Sequence, residues 1–333
     1  ATRTERTILA ELNLKAGIKA KESTAYAAAV NYLATGRSLL PDTAWRTDYA
    51  LTYGLYTELM ECQYLHRNFD EAEKLFSIII ENAASRMDKA RAYRIMIALY
   101  TSMRSPREAV ELGLKALTIF GIRISPQVGM ASVAAELIKT RHLMNRIGID
   151  RIEDLPIVDD RELDSYFQIF FAMGTPAYYI NPNLFAMLVL KGVGLSFKQG
   201  GIMPYGSLAL VALGTILQAA LGDYVMGSHL GEMALRLNQR FDDRRTAGMV
   251  HHTFAFFIQH WKRHARHNLD VFRKVYDLSM NTGDFIYAGH SVNAATDCRL
   301  MIGTPLDEIL TENLRHTDLM GMVKDPFIGA RHQ

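Results

Sequence analysis

Cysteine is scarce in this sequence, which has only Cys62 and Cys298 among its 333 residues. The two lie far apart in no metal-binding spacing, which excludes a disulfide framework and a cysteine-based zinc site. Two isolated thiols are typical of a reducing compartment, so the sequence predicts a cytoplasmic location. No basic helix start stands beside either thiol, and we expect both to be buried, unreactive side chains.

An excess of charge of one sign is also missing. The chain has 37 Lys and Arg against 35 Asp and Glu, which leaves a formal net charge of +2. Proteins that bind nucleic acids concentrate positive charge on one face, because phosphates supply most of their binding energy. The balance therefore predicts no nucleic-acid partner.

The first residues do not predict a secretion signal. Ala1-Thr2-Arg3-Thr4-Glu5 contains neither an initiating Met nor an apolar core, and we interpret the sequence as a fragment of a longer protein.

Two stretches, 165–190 and 199–222, have no charged residue, and by length alone each would suit a membrane helix. Pro176, Asn181, Pro182 and Asn183 interrupt the first stretch. Pro204, Gly206 and the polar Gln218 lie in the second, which is rich in small residues. We therefore predict buried helices that turn back at these breakers, and no membrane span.

The loops of kinases and ATPases are absent. No segment has the Gly-x4-Gly-Lys-Ser/Thr pattern that holds phosphates. His66-Arg67-Asn68 lacks the aspartate of a kinase catalytic loop, and Asp284-Phe285 is followed by Ile286 instead of glycine. The sequence predicts no catalytic residue, no cofactor and no enzyme activity in this segment.

Histidines crowd one part of the chain: His251, His252, His260, His264 and His267. His260 and His264 are four residues apart and would share one helix face, as metal ligands can. We favour a solvated basic hairpin end, because Lys262, Arg263 and Arg266 continue it. A pH-responsive or acidic-partner role is the remaining alternative.

Helical periodicity dominates the chain and predicts an all-α fold without strands. Turns between helices are predicted at 68–70, Ser105-Pro106, Gly222-Asp223, Gly283-Asp284 and 303–305. Small residues follow several of these turns at helical spacing, among them Ala72 and Ala109, and would let paired helices approach closely.

The helical hairpins repeat. Ala72 and Ala109 are separated by nearly the tetratricopeptide (TPR) period of about 34 residues. Weaker repeats follow at 249–282 and 284–320, whereas an irregular insert at about 121–160 holds a helix (127–146) and a connector (152–156). We predict an α-α superhelix, a TPR-like solenoid, over one continuous domain, 1–333.

Several runs along the chain resemble one family. They are Leu12–Lys21, Ser23–Tyr26, Tyr32-Leu33, Trp45 with Tyr49, Tyr64-Leu65 before Phe69, Pro176–Tyr178 to Asn181-Pro182, Leu221–Tyr224, His260–Lys262, and Gly283-Asp284 through Cys298. They are similar to the helical-repeat segment of large bacterial and fungal signalling kinases. In those proteins a serine/threonine-kinase-like domain and a STAND-type AAA ATPase precede the repeats, and GAF and histidine-kinase domains follow. The resemblance implies a regulatory segment between an NTPase switch and an output domain.

Binding residues are predicted on the first helix of each hairpin, which lines the inner face of a TPR-like repeat. Placing Ala72 and Ala109 on the second helices puts Glu61, Tyr64, Arg91 and Arg94 on that face. The same count adds His260 and Trp261. Aromatic and arginine side chains suit such a role, because they dominate the energy of many interfaces.

Two functions remain open. The chain would be a non-catalytic scaffold that binds a protein or neighbouring domains of the same polypeptide, or it would bind a small-molecule inducer in a pocket. An inducer pocket should be enclosed and mostly apolar, whereas a peptide groove is open and edged with charge. The uncharged residues 165–222 favour a pocket and the charged segment 61–94 favours a groove.

Overall fold

The computed structural model describes residues 2–103, 105–203, 205–323 and 328. Within these residues the chain is helical, and the only extended pairing is an isolated parallel bridge between Ile157 and Ile202. The predicted all-α class is confirmed. The helices are α1 (Arg3–Glu22), α2 (Tyr26–Ser38), α3 (Ala44–Thr47), α4 (Tyr49–Leu65), α5 (Phe69–Asn82), α6 (Arg86–Ser102), α7 (Pro106–Thr118), α8 (Met130–Ile147), α9 (Arg161–Ile180), α10 (Pro182–Lys198), α11 (Gly206–Leu221), α12 (Tyr224–Arg240), α13 (Arg244–Thr253), α14 (Asn268–Thr282), α15 (Phe285–Met301), α16 (Leu306–Leu314) and α17 (Thr317–Met322).

The described residues form two compact units. Unit 1 comprises the residues up to Pro126 together with Phe171–Pro176, and unit 2 comprises Gln127–Phe170 and the residues from Ala177 onward. The single continuous domain and the superhelical arrangement stay predictions.

Unit 1 contains three successive helical hairpins, α1–α2, α4–α5 and α6–α7. Small residues lie where their helices meet: Ala72 and Ala109 have no exposed surface, and a Cβ on Gly17 would lie 2.5 Å from Cγ of Leu33. The burial of Ala72 and Ala109 agrees with their predicted role in close helix packing. After the end of α4, Arg67 adopts a left-handed φ of 68°. His66-Arg67-Asn68 is therefore a turn between α4 and α5, as predicted.

Unit 2 continues with the hairpins α11–α12 and α14–α15. Gly222 and Gly283 have positive φ directly after a helix, and Gly303 has it one residue beyond the end of α15. Glycine adopts this helix-ending conformation most easily. Helices end or begin at all five predicted turns, but the first turn lies at 66–68 because Phe69 already begins α5. Gly214 and Gly227 bring α11 and α12 together, because a Cβ on either would lie 2.7 Å from the carbonyl oxygen of the other.

The region before these hairpins follows its prediction closely. A helix was expected at 127–146 and a connector at 152–156; the structure has α8 and a 3₁₀ turn, Ile149–Asp154. Arg236 on α12 holds this turn through a hydrogen bond of 2.8 Å from Nε to Glu153.

The uncharged stretches form helices that are largely buried, although Tyr178, Tyr179, Ile180 and Leu221 are exposed at helix ends, and the chain does not turn at Pro176. Pro176 lies inside α9, which continues to Ile180, and the chain turns at Asn181 instead. Asn181 accepts a hydrogen bond from the backbone N–H of Asn183, and Pro182 takes the first helical position, where its missing N–H is not needed. Pro204 lies outside the described residues. Among the described helices, none has both the length and the apolar character needed to cross a membrane.

Candidate partner-binding surfaces

The first helices of the three hairpins in unit 1 are joined by charged side chains. Lys21 at the end of α1 donates to Glu58 (2.6 Å) and Glu61 (3.0 Å) on α4. Arg91 on α6 approaches the other oxygen of Glu58 at 3.6 Å. Positive, negative and positive charges therefore alternate across α1, α4 and α6, and we call Lys21, Glu58, Glu61, Arg91 and Arg94 the first-helix face.

Burial gives this network a fixed geometry. The side chains of Lys21 and Glu58 are only 19% and 12% exposed. Partial burial lowers the pKa of Lys21, but its hydrogen bonds to Glu58 and Glu61 outweigh that effect and raise the pKa above its usual 10.5. Lys21 therefore stays charged, and Glu58 is held where it orients Arg91.

Arg94 differs from its neighbours in this network. It is exposed on α6, one turn after Arg91, and within the described residues it forms no ion pair. Arg91 is also half exposed, at 52% of its side chain. The outer end of the first-helix face is therefore a pair of accessible guanidinium groups, of which one is oriented by a carboxylate.

Tyr64, in contrast, is used inside unit 1. It is only 8% exposed, its hydroxyl donates to the carbonyl of Leu99, and the hydroxyl of Ser102 lies 2.9 Å away. Its ring also packs edge-on against Phe69 at 5.1 Å between centroids. The structure gives Tyr64 a role in joining α4 to α6; its assignment to a binding face stays a prediction.

His260 and Trp261 lie in unit 2, at the end of an irregular helix. After α13 the chain makes a π-helical turn, Phe254–Ile258, and then a 3₁₀ turn, Gln259–Trp261. A π-turn adds a residue to the helix and shifts the register of everything that follows it. The prediction for His260 and Trp261 counted residues along a regular helix, which the structure does not have here. Both side chains are nevertheless exposed, Trp261 by 56%.

Trp261 contacts other rings without being buried by them. Its ring lies 4.8 Å from that of Tyr224 at an angle of 40°, and 5.1 Å from that of His260. Tyr224 is itself 39% exposed. The pair therefore presents an accessible aromatic surface of the kind that anchors binding partners.

The predicted binding residues thus occupy two places. Glu61, Arg91 and Arg94 share the first-helix face of unit 1, whereas His260 and Trp261 belong to unit 2. Sequence reasoning missed Lys21 and Glu58. Glu58 and Glu61 are one helical turn apart, which was a usable signal, but no spacing indicates that Lys21 of another helix joins them.

Chemistry at the other candidate residues is limited. Among the described residues, no group of three or more His, Cys, Asp or Glu side chains is arranged to hold a metal ion. His264 uses its Nδ1 to accept hydrogen bonds from the backbone and side chain of Arg266. Both thiols are buried as predicted, and burial raises the pKa of Cys62 to about 12.

No family model matches the chain. The chain is similar to hybrid signal transduction histidine kinase G of Dictyostelium discoideum, with 23% identity over 333 residues and 91% of the chain covered. The chain spans only about a tenth of that protein's length.

Proposed function

We propose that this chain is a non-catalytic, TPR-like helical-repeat module that binds protein segments within a larger cytoplasmic signalling protein. It would couple an NTPase switch to an output domain by holding a neighbouring domain or a partner. Several aspects of the structure and the comparison support this proposal.

The accessible arginine pair on the first-helix face is the observation that carries it. Arg91 is oriented by Glu58, which is in turn held by Lys21, so the guanidinium group loses less freedom when it binds a carboxylate. Arg94 adds a second donor group that no carboxylate in the described part of the chain neutralises. A partner segment with acidic or carbonyl groups would complete these hydrogen bonds, because arginine donates in a fixed fork.

The signalling role rests on the similarity to a protein named as a hybrid signal transduction histidine kinase. The aligned region is a tenth of that protein, so this chain would be one segment of such an assembly. Helical hairpins are well suited to that position, because stacked hairpins present long surfaces to other domains.

A small-molecule sensor has less support. In the uncharged region, a cavity between α10 and α11 measures about 10 Å³ and is lined by Phe167, Val193, Phe197, Ile202 and Leu210 among others. That volume holds at most one water molecule, whereas pockets for small molecules measure about 300 Å³ or more. A larger space of about 330 Å³ at Arg299, Asp307 and Glu312 is lined by charged and hydroxyl side chains and is not the apolar enclosure that an inducer needs.

The experiment is charge reversal in the parent protein. Arg94→Glu should weaken binding of the neighbouring domains to this segment by about tenfold or more and reduce signalling output, with an unchanged melting temperature. Arg107→Glu is the matched control, because Arg107 is an exposed arginine on a second helix, α7. Equal behaviour of the two variants would place the binding surface elsewhere, and a complete lack of binding by any neighbouring domain would overturn the proposal.

A further inference from the structure

The loop that carries Trp261 is fastened at its base by buried amides. Nε2 of Gln259 donates to Oδ1 of Asn268 at 2.9 Å, and Nδ2 of Asn268 donates to the carbonyl of Ala255 at 2.8 Å. Gln259 and Asn268 are 7% and 4% exposed. Two side chains nine residues apart therefore close residues 260–267 into a loop and tie it to the π-turn.

A third contact holds the far side of this loop. Sγ of Cys298 on α15 donates to the carbonyl of Ala265 at 3.1 Å. The loop is thus attached at both ends and at Ala265, while its other side chains are exposed. A loop held in this way loses little conformational entropy when a partner binds it.

Positive charge on the loop is not compensated. Lys262, Arg263 and Arg266 are exposed, and within the part of the chain that the structure describes none of them forms an ion pair. The carboxylate that follows them, Asp270, pairs with Arg273 at 3.2 Å. The loop therefore carries a local excess of positive charge beside the exposed rings of Tyr224 and Trp261.

We propose that this aromatic–basic surface, made of Tyr224, Trp261, Lys262, Arg263 and Arg266, binds an acidic protein segment that carries an aromatic or aliphatic anchor residue. The inference rests on the proposed protein-binding function and names the partner's chemistry. The anchor packs on the tilted ring pair, and carboxylates on either side of it pair with the three cations. Both parts are needed, because exposed ion pairs alone contribute little and a single apolar contact lacks specificity.

Charge distribution favours a short acidic segment over an extended polyanion. Nucleic acids and anionic bilayers reward positive charge spread over a wide face. Here the net charge of the whole chain is +2, and the cations occupy a single loop. Carboxylates flank this surface in the sequence: Asp223 precedes Tyr224 and contacts Arg141 at 3.4 Å, and Asp270 follows the loop. The positive charge therefore suits a short segment with a few acidic side chains.

Trp261 itself can report binding. The chain has two tryptophans, so Trp45→Phe leaves Trp261 as the sole indole. This variant would be titrated with a synthetic decapeptide in which glutamates surround a central phenylalanine. We expect a saturable change in Trp261 emission that weakens as salt is added, because the ion pairs are exposed.

Matched variants identify the groups that bind. The double variant Lys262→Gln/Arg263→Gln should bind the peptide about tenfold more weakly or worse. Trp261→Ala, whose binding is measured with a fluorescently labelled peptide, should show a similar loss. Arg244→Gln with Arg245→Gln is the control, since these exposed arginines already pair with Asp242 and Asp243. Peptides with glutamine for glutamate, or alanine for phenylalanine, should each bind more weakly.

Other outcomes overturn the inference. One is an equal loss of peptide affinity in the Lys262/Arg263 variant and in the Arg244/Arg245 control. The other is that the protein does not bind the peptide but binds oligouridylate or vesicles of phosphatidylserine and phosphatidylcholine. If the peptide is inert and neighbouring domains of the parent protein bind regardless of Trp261→Ala, the partner chemistry is wrong and the proposed function stands. If no neighbouring domain binds this chain, the proposed function itself fails.

Discussion

Nζ of Lys274 lies 2.9 Å from Nε2 of His251, so an ammonium group faces the imidazole where α13 and α14 pack together. The other ring nitrogen, Nδ1, lies 2.9 Å from the carbonyl of Ala247. Both contacts are satisfied when His251 is neutral with its proton on Nδ1, because Lys274 can then donate to Nε2. Burial and the charge of Lys274 both lower the pKa of His251 below its usual 6.5.

The stability of the protein should therefore depend on pH through His251. The unfolded chain takes up a proton at its ordinary pKa of about 6.5, whereas the folded chain resists it. The contribution of His251 is complete above pH 6.5 and decreases as pH falls from 6.5 through the folded-state pKa. The free energy of unfolding in urea, measured between about pH 5 and 7.5, should decrease less steeply with falling pH in His251→Gln and in Lys274→Met than in the unchanged protein. Identical slopes in all three proteins would contradict this assignment.

Both cysteines should resist alkylation in the native protein. Burial raises the pKa of Cys62 to about 12, and the pKa of Cys298 is also raised, so little thiolate exists at neutral pH. Mass spectrometry after iodoacetamide treatment should find slow labelling in buffer and rapid labelling in denaturing urea. Fast native labelling of Cys62 would show that α4 is packed differently.

The contact between α11 and α12 should not accept a methyl group. Gly214→Ala places Cβ 2.7 Å from the carbonyl oxygen of Gly227, and backbone cannot move aside as a flexible side chain can. We expect a loss of about 1–3 kcal/mol in the free energy of unfolding. Gly129→Ala is the control, because its Cβ would meet no atom within 4 Å. Comparable losses in both variants would argue against the close approach.

The small residues of unit 1 allow a similar test in a second place. Ala72→Trp and Ala109→Trp should each destabilise the protein by about 1–3 kcal/mol or more, because neither side chain has exposed surface. Ala98→Trp, at an exposed position of α6, should have little effect. Unfolding in denaturant measures all three, and neutral results at both buried sites would mean that the hairpins are packed in another register.

The purified chain should neither hydrolyse ATP nor phosphorylate itself. It lacks a Gly-x4-Gly-Lys-Ser/Thr loop, and His66-Arg67-Asn68 is a turn without the aspartate that a kinase requires. A coupled assay for ADP release, run on successive chromatography fractions, measures this directly. Turnover that co-purifies with the chain would reveal a catalytic site that sequence reasoning did not find.

Helices and turns were predictable because local chemistry decides them. Gly222 and Gly283 end helices through positive φ, and Ser105-Pro106 begins one where proline needs no donor. Pro176 shows the limit of this reasoning. A proline within an apolar stretch predicts the end of a helix, but α9 continues through Pro176. The turn comes five residues later, at Asn181-Pro182.

The sequence by itself determined the all-α class, the hairpin turns and the small residues at helix contacts, since each depends on neighbours within a few positions. The tertiary structure alone decided which charges meet and which rings are exposed. Lys21 pairs with Glu58 and Glu61 because α1 and α4 pack side by side. Tyr64 is buried where its hydroxyl donates to the carbonyl of Leu99 and lies 2.9 Å from the hydroxyl of Ser102, both on α6. Trp261 is exposed in a 3₁₀ turn that follows the π-turn, and the exposed ring of Tyr224 on α12 lies beside it. Such pairings depend on how distant segments pack, and no periodicity within one helix encodes that.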